Sequence, residues 1–159
     1  LSAAPDADEA CSFAAILAAL DHRVDAARFL PFARWEPPAA APIKRRFDTH
    51  FYVADAGHTA SAAISADGNE AVAIHWTPAA AALAAEADGS GPLVFPTKCN
   101  LQRLGQYASV AAILAMAQRR EPPFIQPEIV ERGGETWITI PEGLDYPVTG
   151  EPITGVRRE

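Results

Sequence analysis

The sequence predicts a single α+β domain, on three observations. Apolar residues recur at helical spacing at Phe13, Ile16, Leu17 and Leu20, and again from Leu101 to Ala117. Arg46 to Ala54 alternates with the period of a strand. Arg132-Gly133-Gly134-Glu135 separates two strand-like runs, and its glycines suit the positive φ of a tight hairpin turn. A chain of 159 residues, 49% of them hydrophobic, has the apolar surface for one core, so residues 1–159 are read as one domain.

In chain order, residues 10 to 22 read as an amphipathic helix, with Asp8 or Ser12 placed to cap it. A second short helical stretch can begin at Asp25. Phe29 to Trp35 is short and aromatic and runs into Glu36-Pro37-Pro38, which fits a strand stopped by residues that cannot donate to a ladder. After an Ala/Pro connection, the Arg46 to Ala54 strand sets Arg46, Asp48, His50 and Tyr52 on one face and Phe47, Thr49, Phe51 and Val53 on the other. Residues 55 to 69 form a small polar loop, Glu70 to Trp76 alternates as a further strand, and Thr77-Pro78 opens an Ala-rich helix that ends near Asp88-Gly89. Thr97 can cap the long periodic stretch, which has a break at Gly105 and closes at Arg119-Arg120 before Pro122-Pro123. Phe124 to Glu131 and Thr136 to Ile140 are strands, and the Gly- and Pro-containing tail from Glu142 reads as loose.

A net charge of −7 and a pI near 5.0 leave no field to gather phosphate backbones or anionic lipid, so neither nucleic acid nor membrane is expected as a partner. The densest basic run, Lys44-Arg45-Arg46, is either a solvated strand start or an anion contact. Cys11 and Cys99 have neither disulfide-framework nor zinc-ribbon spacing, and a reducing compartment follows. The longest apolar stretch, Phe13 to Leu20, is far short of the roughly 20 residues of a bilayer span. Asp6, Asp8 and Glu9 precede it where a secretory signal would be basic, so a cytoplasmic location is expected.

The order of parts carries a resemblance. Phe32-Ala33-Arg34-Trp35, a proline spacer, Arg46-Phe47-Asp48-Thr49-His50-Phe51-Tyr52, then Glu70 to Trp76 followed by Thr77-Pro78 and a helix, and later Pro92 to Leu104, together resemble the bacterial Nudix hydrolases most similar to the acyl-coenzyme A diphosphatases. The resemblance covers nearly the whole chain. It implies a mixed sheet sandwiched between helices and hydrolysis of a diphosphate-linked small molecule, a nucleoside diphosphate derivative or a coenzyme A ester. It also implies magnesium or manganese as cofactor, since a divalent cation both neutralises clustered phosphate charge and activates water.

The family's metal helix pairs Arg-Glu with a Glu-Glu two residues on, which sets hard oxygen ligands on one helical face. This sequence has no Glu-Glu pair: Arg120-Glu121 runs into Pro122-Pro123, and Arg158-Glu159 ends the chain. The family's box lies upstream of the segment that residues 10 to 35 resemble. The expectation is therefore that it precedes Leu1, that the fold is incomplete at its start, that the metal ligands are not in this chain and that the chain is inactive alone. The alternative function is a non-catalytic Nudix-like module for interaction or ligand binding; a third reading is an unrelated α+β domain.

On this resemblance Arg46, Asp48 and His50 line a substrate cleft, the alternative being an internal salt bridge on a solvated sheet face. His50 stands where the family usually has Arg, and a neutral imidazole holds an anion less firmly. Glu70 follows the loop from which such enzymes draw a further metal ligand or general base; otherwise it is a strand-edge acid, and Asp55 and Asp67 stand as equals to it. Trp35 and Trp76 read as core or cleft-wall packing. His22, His58 and His75 have no metal-ligand spacing, and neither a G-x-S-x-G elbow nor a glycine-rich phosphate loop occurs. A homodimer is expected if a missing edge leaves strand or apolar surface to cover.

Overall fold

The computed structural model describes residues 13–41, 44–57, 66, 68 and 73–153. They form an α+β arrangement of four helices and two three-stranded sheets. Helix α1 spans Phe13–Ala19 and closes where Asp21 turns left-handed at φ 52°. The caps expected at Asp8 and Ser12 lie outside the described residues. Asp25 starts a single 3-10 turn, Ala26–Arg28, its carboxylate accepting the amide of Ala27 at 3.2 Å.

Strand β1, Leu30–Trp35, is the centre of the first sheet, with β2, Thr49–Val53, antiparallel on one side and β3, Phe124–Ile125, parallel on the other. The pairing in this sheet is therefore mixed. Pro31 has no amide hydrogen to donate, and the register slips between Pro31 and Ala33, leaving Phe32 as the extra residue of a bulge.

Helix α2 covers Ala79–Ala87 and ends at Asp88, with Gly89 at φ 81°. Its N-cap is Pro78 rather than Thr77, and no side chain caps it. Helix α3, Phe95–Leu104, starts two residues before the expected cap Thr97, because Pro96 fits the first turn, where no intrahelical amide donor is needed. Gly105 ends α3, and Ser109 caps α4, Val110–Arg119, accepting the amide of Ala112 at 3.2 Å. Helix α4 packs on β1 and β2, and α2 packs on α3.

The single strand expected from Phe124 to Glu131 is two. Gln126 and Pro127 interrupt it, and β4, Glu128–Arg132, belongs to a second, antiparallel sheet with β5, Glu135–Thr139, and β6, Gly150–Pro152. The β4–β5 turn places Gly133 at φ 61° and Gly134 at φ 86°, the conformation the sequence predicts. The tail expected to be loose is structural: Gly150–Pro152 pairs with β5, and Tyr146 is buried in the core with Phe32, Ala33, Trp35, Cys99, Met116, Ile125 and Ile140.

The strand expected over Glu70 to Trp76 is not formed in its described part. Residues 73–76 make no ladder, and Trp76, expected to pack, is 62% exposed. Alternation makes a strand only when a neighbour takes up the backbone hydrogen bonds. No helix among the described residues is long and apolar enough to cross a membrane.

The close fit of β6 against β5 is testable at Gly150, where an added Cβ would stand 2.8 Å from Thr139 Cγ2 and 2.9 Å from the Ile138 carbonyl oxygen. Gly150→Ala is expected to lower unfolding stability by about 1–3 kcal/mol in urea denaturation. An unchanged midpoint would show that β6 does not hold this position.

Candidate functional site

Two regions concentrate side chains with chemical potential. The first is an apolar cleft of about 360 Å3 at the junction of the two sheets. The end of β1 supplies Trp35, the start of β2 supplies Thr49 and Phe51, and the approach to β2 supplies Phe47. The entry to α3, Val94 to Thr97, forms another wall, and Pro127 and Ile138 close the cleft from the second sheet. Alternation in β2 accounts for the lining: Phe47, Thr49 and Phe51 share the face that the sequence assigns to apolar residues. Trp35 is anchored by edge-on contacts with Phe95 and Tyr146, at centroid separations of 6.1 and 5.9 Å.

The three residues expected to line a substrate cleft, Arg46, Asp48 and His50, are not part of the lining of this apolar one. Arg46 precedes β2 and donates to the carbonyls of Pro38 at 2.9 Å and Pro37 at 2.5 Å, securing the proline wall of the cleft. Asp48 lies on the exposed side and takes a bidentate pair from Arg34, both bonds at 2.8 Å, while His50 Nε2 stands 3.5 Å from its Oδ1. The hydrogen bond from Arg34, with its charge, holds the Asp48 carboxyl below the usual aspartate range, and the same bond raises Arg34. His50 stacks on Tyr52 at 6.5 Å. The alternative weighed for this face, an internal salt bridge, is therefore what Asp48 makes. Asp55 accepts the Gly57 amide at 2.8 Å in its own turn. Glu70 and Asp67 lie outside the described residues, as does His58.

The second region was not singled out in the sequence. Arg103 of α3 is 2% exposed, donates from Nη1 to the Phe32 carbonyl at 2.7 Å, and lies over the rings of Phe32 and Tyr146 at 4.5 and 5.2 Å. Its Nη2 reaches Met116 Sδ at 3.6 Å. The bulge at Phe32 explains the first bond, since the extra residue of a bulge is left out of the ladder. Beside it, Tyr146 donates to Asn100 Oδ1 at 2.9 Å and Tyr107 to Asp145 Oδ2 at 2.8 Å. Burial raises both tyrosines, and the Asp145 carboxylate raises Tyr107 further. A signal was present: Phe95, Cys99, Arg103 and Tyr107 recur every four residues, which puts one arginine on an otherwise apolar helical stripe.

Lys98 bridges Glu86 at 3.1 Å and Glu151 at 2.7 Å, tying α2, α3 and β6 together. Its ammonium is raised, first by the Glu151 hydrogen bond. Among the described residues no three His, Cys, Asp or Glu side chains are grouped to hold a metal ion. Comparison with family models, curated proteins and solved structures finds no match to this chain.

Burial pushes the Cys99 thiol up to about 12, and the nearby Glu151 charge adds to the rise. The neutral thiol is thus favoured in the folded state. Its contribution to stability is fully present below the ordinary thiol value of 9.0 and is lost as the pH rises towards about 12. Alkylation of the folded chain at pH 8.5, read by peptide mass spectrometry, should leave Cys99 unmodified until denaturant is added. Modification of the native protein at the rate of a free thiol would contradict the burial.

Proposed function

We propose that this chain is the substrate-binding part of a Nudix-type hydrolase of a diphosphate-linked small molecule, a coenzyme A ester or nucleoside diphosphate derivative. The observation that carries the reading is the pairing of the two segments that bear the resemblance. Phe32 to Trp35 and Arg46 to Tyr52 are far apart in sequence, yet Arg34 faces His50 and Trp35 faces Thr49 across one ladder, and Arg34 grips Asp48. The pairing gives the joint occurrence of the two segments a physical cause. The mixed sheet β2-β1-β3, with α4 packed on it, supports the finer assignment to a Nudix-like sheet covered by helices.

The cleft beside this ladder is apolar and suits the organic arm of such a substrate rather than its phosphates. Magnesium or manganese, when bound, would neutralise the diphosphate and activate water; this sequence offers no Glu-Glu pair for it. Glu70 remains the proposed further base or ligand. Two copies joined through the exposed apolar side chains Phe29 and Tyr52 are the proposed assembly. One observation favours the second reading, a ligand-binding module without catalysis: the Asp48 carboxylate is committed to Arg34.

Isothermal titration of the 159-residue chain with a short-chain acyl coenzyme A, in magnesium, tests the proposal. Saturable binding is expected, with no phosphate-containing product released. Phe47→Ala, at an exposed wall of the cleft, should weaken it about tenfold, the effect of losing one apolar side-chain contact. Absence of binding would sink the substrate assignment, and turnover would show that metal ligands are present after all.

A further inference from the structure

At the other end of α3 and α4 lies a recess of about 530 Å3, lined by Tyr107, Ala112, Met116, Arg119, Arg120 and Asp145. We propose that it binds a small phosphate monoester. The inference does not depend on the hydrolase reading, whose cleft is lined by none of these residues.

The charge is arranged for an anion. Arg119 and Arg120 line the recess, and Arg103 stands behind it, in contact with Met116 and close to Asp145. Asp145 is the one acidic residue in the lining; Glu121 follows Arg120 but does not line the recess. Three guanidiniums against one carboxylate leave two positive charges in surplus, on a chain whose net charge is −7.

Asp145 is shared among its neighbours: its Oδ2 accepts a 2.8 Å hydrogen bond from Tyr107 and forms longer ion pairs with Arg103 Nε at 3.8 Å and Arg120 Nη1 at 3.6 Å, so one carboxylate offsets only part of the cationic charge. Arg103 Nε is buried and has no hydrogen-bond acceptor. A buried donor without an acceptor is costly, and a guanidinium prefers oxygens it can meet in pairs. Arg119 and Arg120 line the recess and are the guanidiniums an entering oxyanion can meet, while buried Arg103 adds its charge from behind.

The surplus of two charges matches a phosphate dianion better than a single carboxylate. Planar guanidinium forks fit phosphate oxygens, and repulsion excludes a metal cation. The volume exceeds what the phosphate group alone needs and falls in the range of small-molecule sites, roughly 300–1,000 Å3, so an organic group on the phosphate has room. The backbone at Asp145 is held in place by its neighbours. It is a non-glycine residue at φ 66°, fixed by the Gln106 side chain donating to its carbonyl at 2.9 Å and by Tyr107 on its carboxylate. Left-handed backbone at a residue other than glycine persists only where its surroundings over-determine it, and such sites cluster where ligands bind.

The test is titration of the intact chain, at constant ionic strength and neutral pH, with glycerol phosphate, inorganic phosphate and acetate, followed by calorimetry and by amide chemical shifts. Saturable binding of glycerol phosphate, tighter than inorganic phosphate and with no response to acetate, is the expected result, with shifts centred on Arg119 and Arg120. Arg119→Ala/Arg120→Ala should weaken glycerol phosphate at least about tenfold, as loss of charge-assisted contacts requires, and both side chains are exposed enough for the fold to survive. Arg120→Ala alone, at a side chain 63% exposed, gives the same reading at smaller size. Tighter binding of inorganic phosphate would overturn the monoester assignment. No saturable binding, equal binding of acetate, or affinity untouched by either substitution would overturn the site.

Discussion

The guanidinium of Arg103 is the contact on which the two halves of this fold depend. It sits within helix α3, is 2% exposed, and joins the Phe32 carbonyl of β1, the Met116 sulfur of α4 and the Tyr146 ring of the segment leading to β6. A charge in that position is tolerated because a carbonyl, two aromatic faces and a nearby carboxylate replace much of its hydration. Removal of any partner leaves a buried charge less compensated, so the bulge at Phe32, the helix register and the Leu144 to Tyr146 turn are mutually required.

The same contact separates the two regions of chemical interest. On one side, β1 and β2 with the entry to α3 form an apolar cleft whose polar groups are few. On the other, α4 and the Asp145 turn form a recess lined by Arg119, Arg120 and Asp145 among its polar groups. Trp35 and Tyr146, in edge-on contact at 5.9 Å, fill the space between. The apolar cleft and the charged recess thus lie at different ends of one core.

Local signals in the sequence were readable because they depend on neighbours a few residues away. Gly133 and Gly134 marked their turn, Asp25 its short helical turn, Gly105 the end of α3, and Arg119 the end of α4. Pro127 lies inside the run that the sequence reads as one strand, and what it does, sending β3 and β4 into different sheets, is a tertiary outcome. The tail was misread for the same reason: Tyr146 reaches back to Asn100, and β6 pairs only once β5 has formed. Asp48 was legible as a salt-bridge candidate, whereas its partner Arg34 was not, since that choice depends on the β1–β2 register. Trp76 shows the opposite error, a large aromatic assigned to packing by its type alone and found exposed.

Urea unfolding of Arg103→Met most directly examines the central role of this side chain, because methionine keeps the unbranched apolar stem and removes the charged donors. The structure predicts a loss of about 3 kcal/mol or more, as for breaking a buried charged network, together with early hydrogen exchange around Asp145 and Tyr146. A stability within about 0.5 kcal/mol of the original, the scale of an ordinary surface substitution, would contradict it.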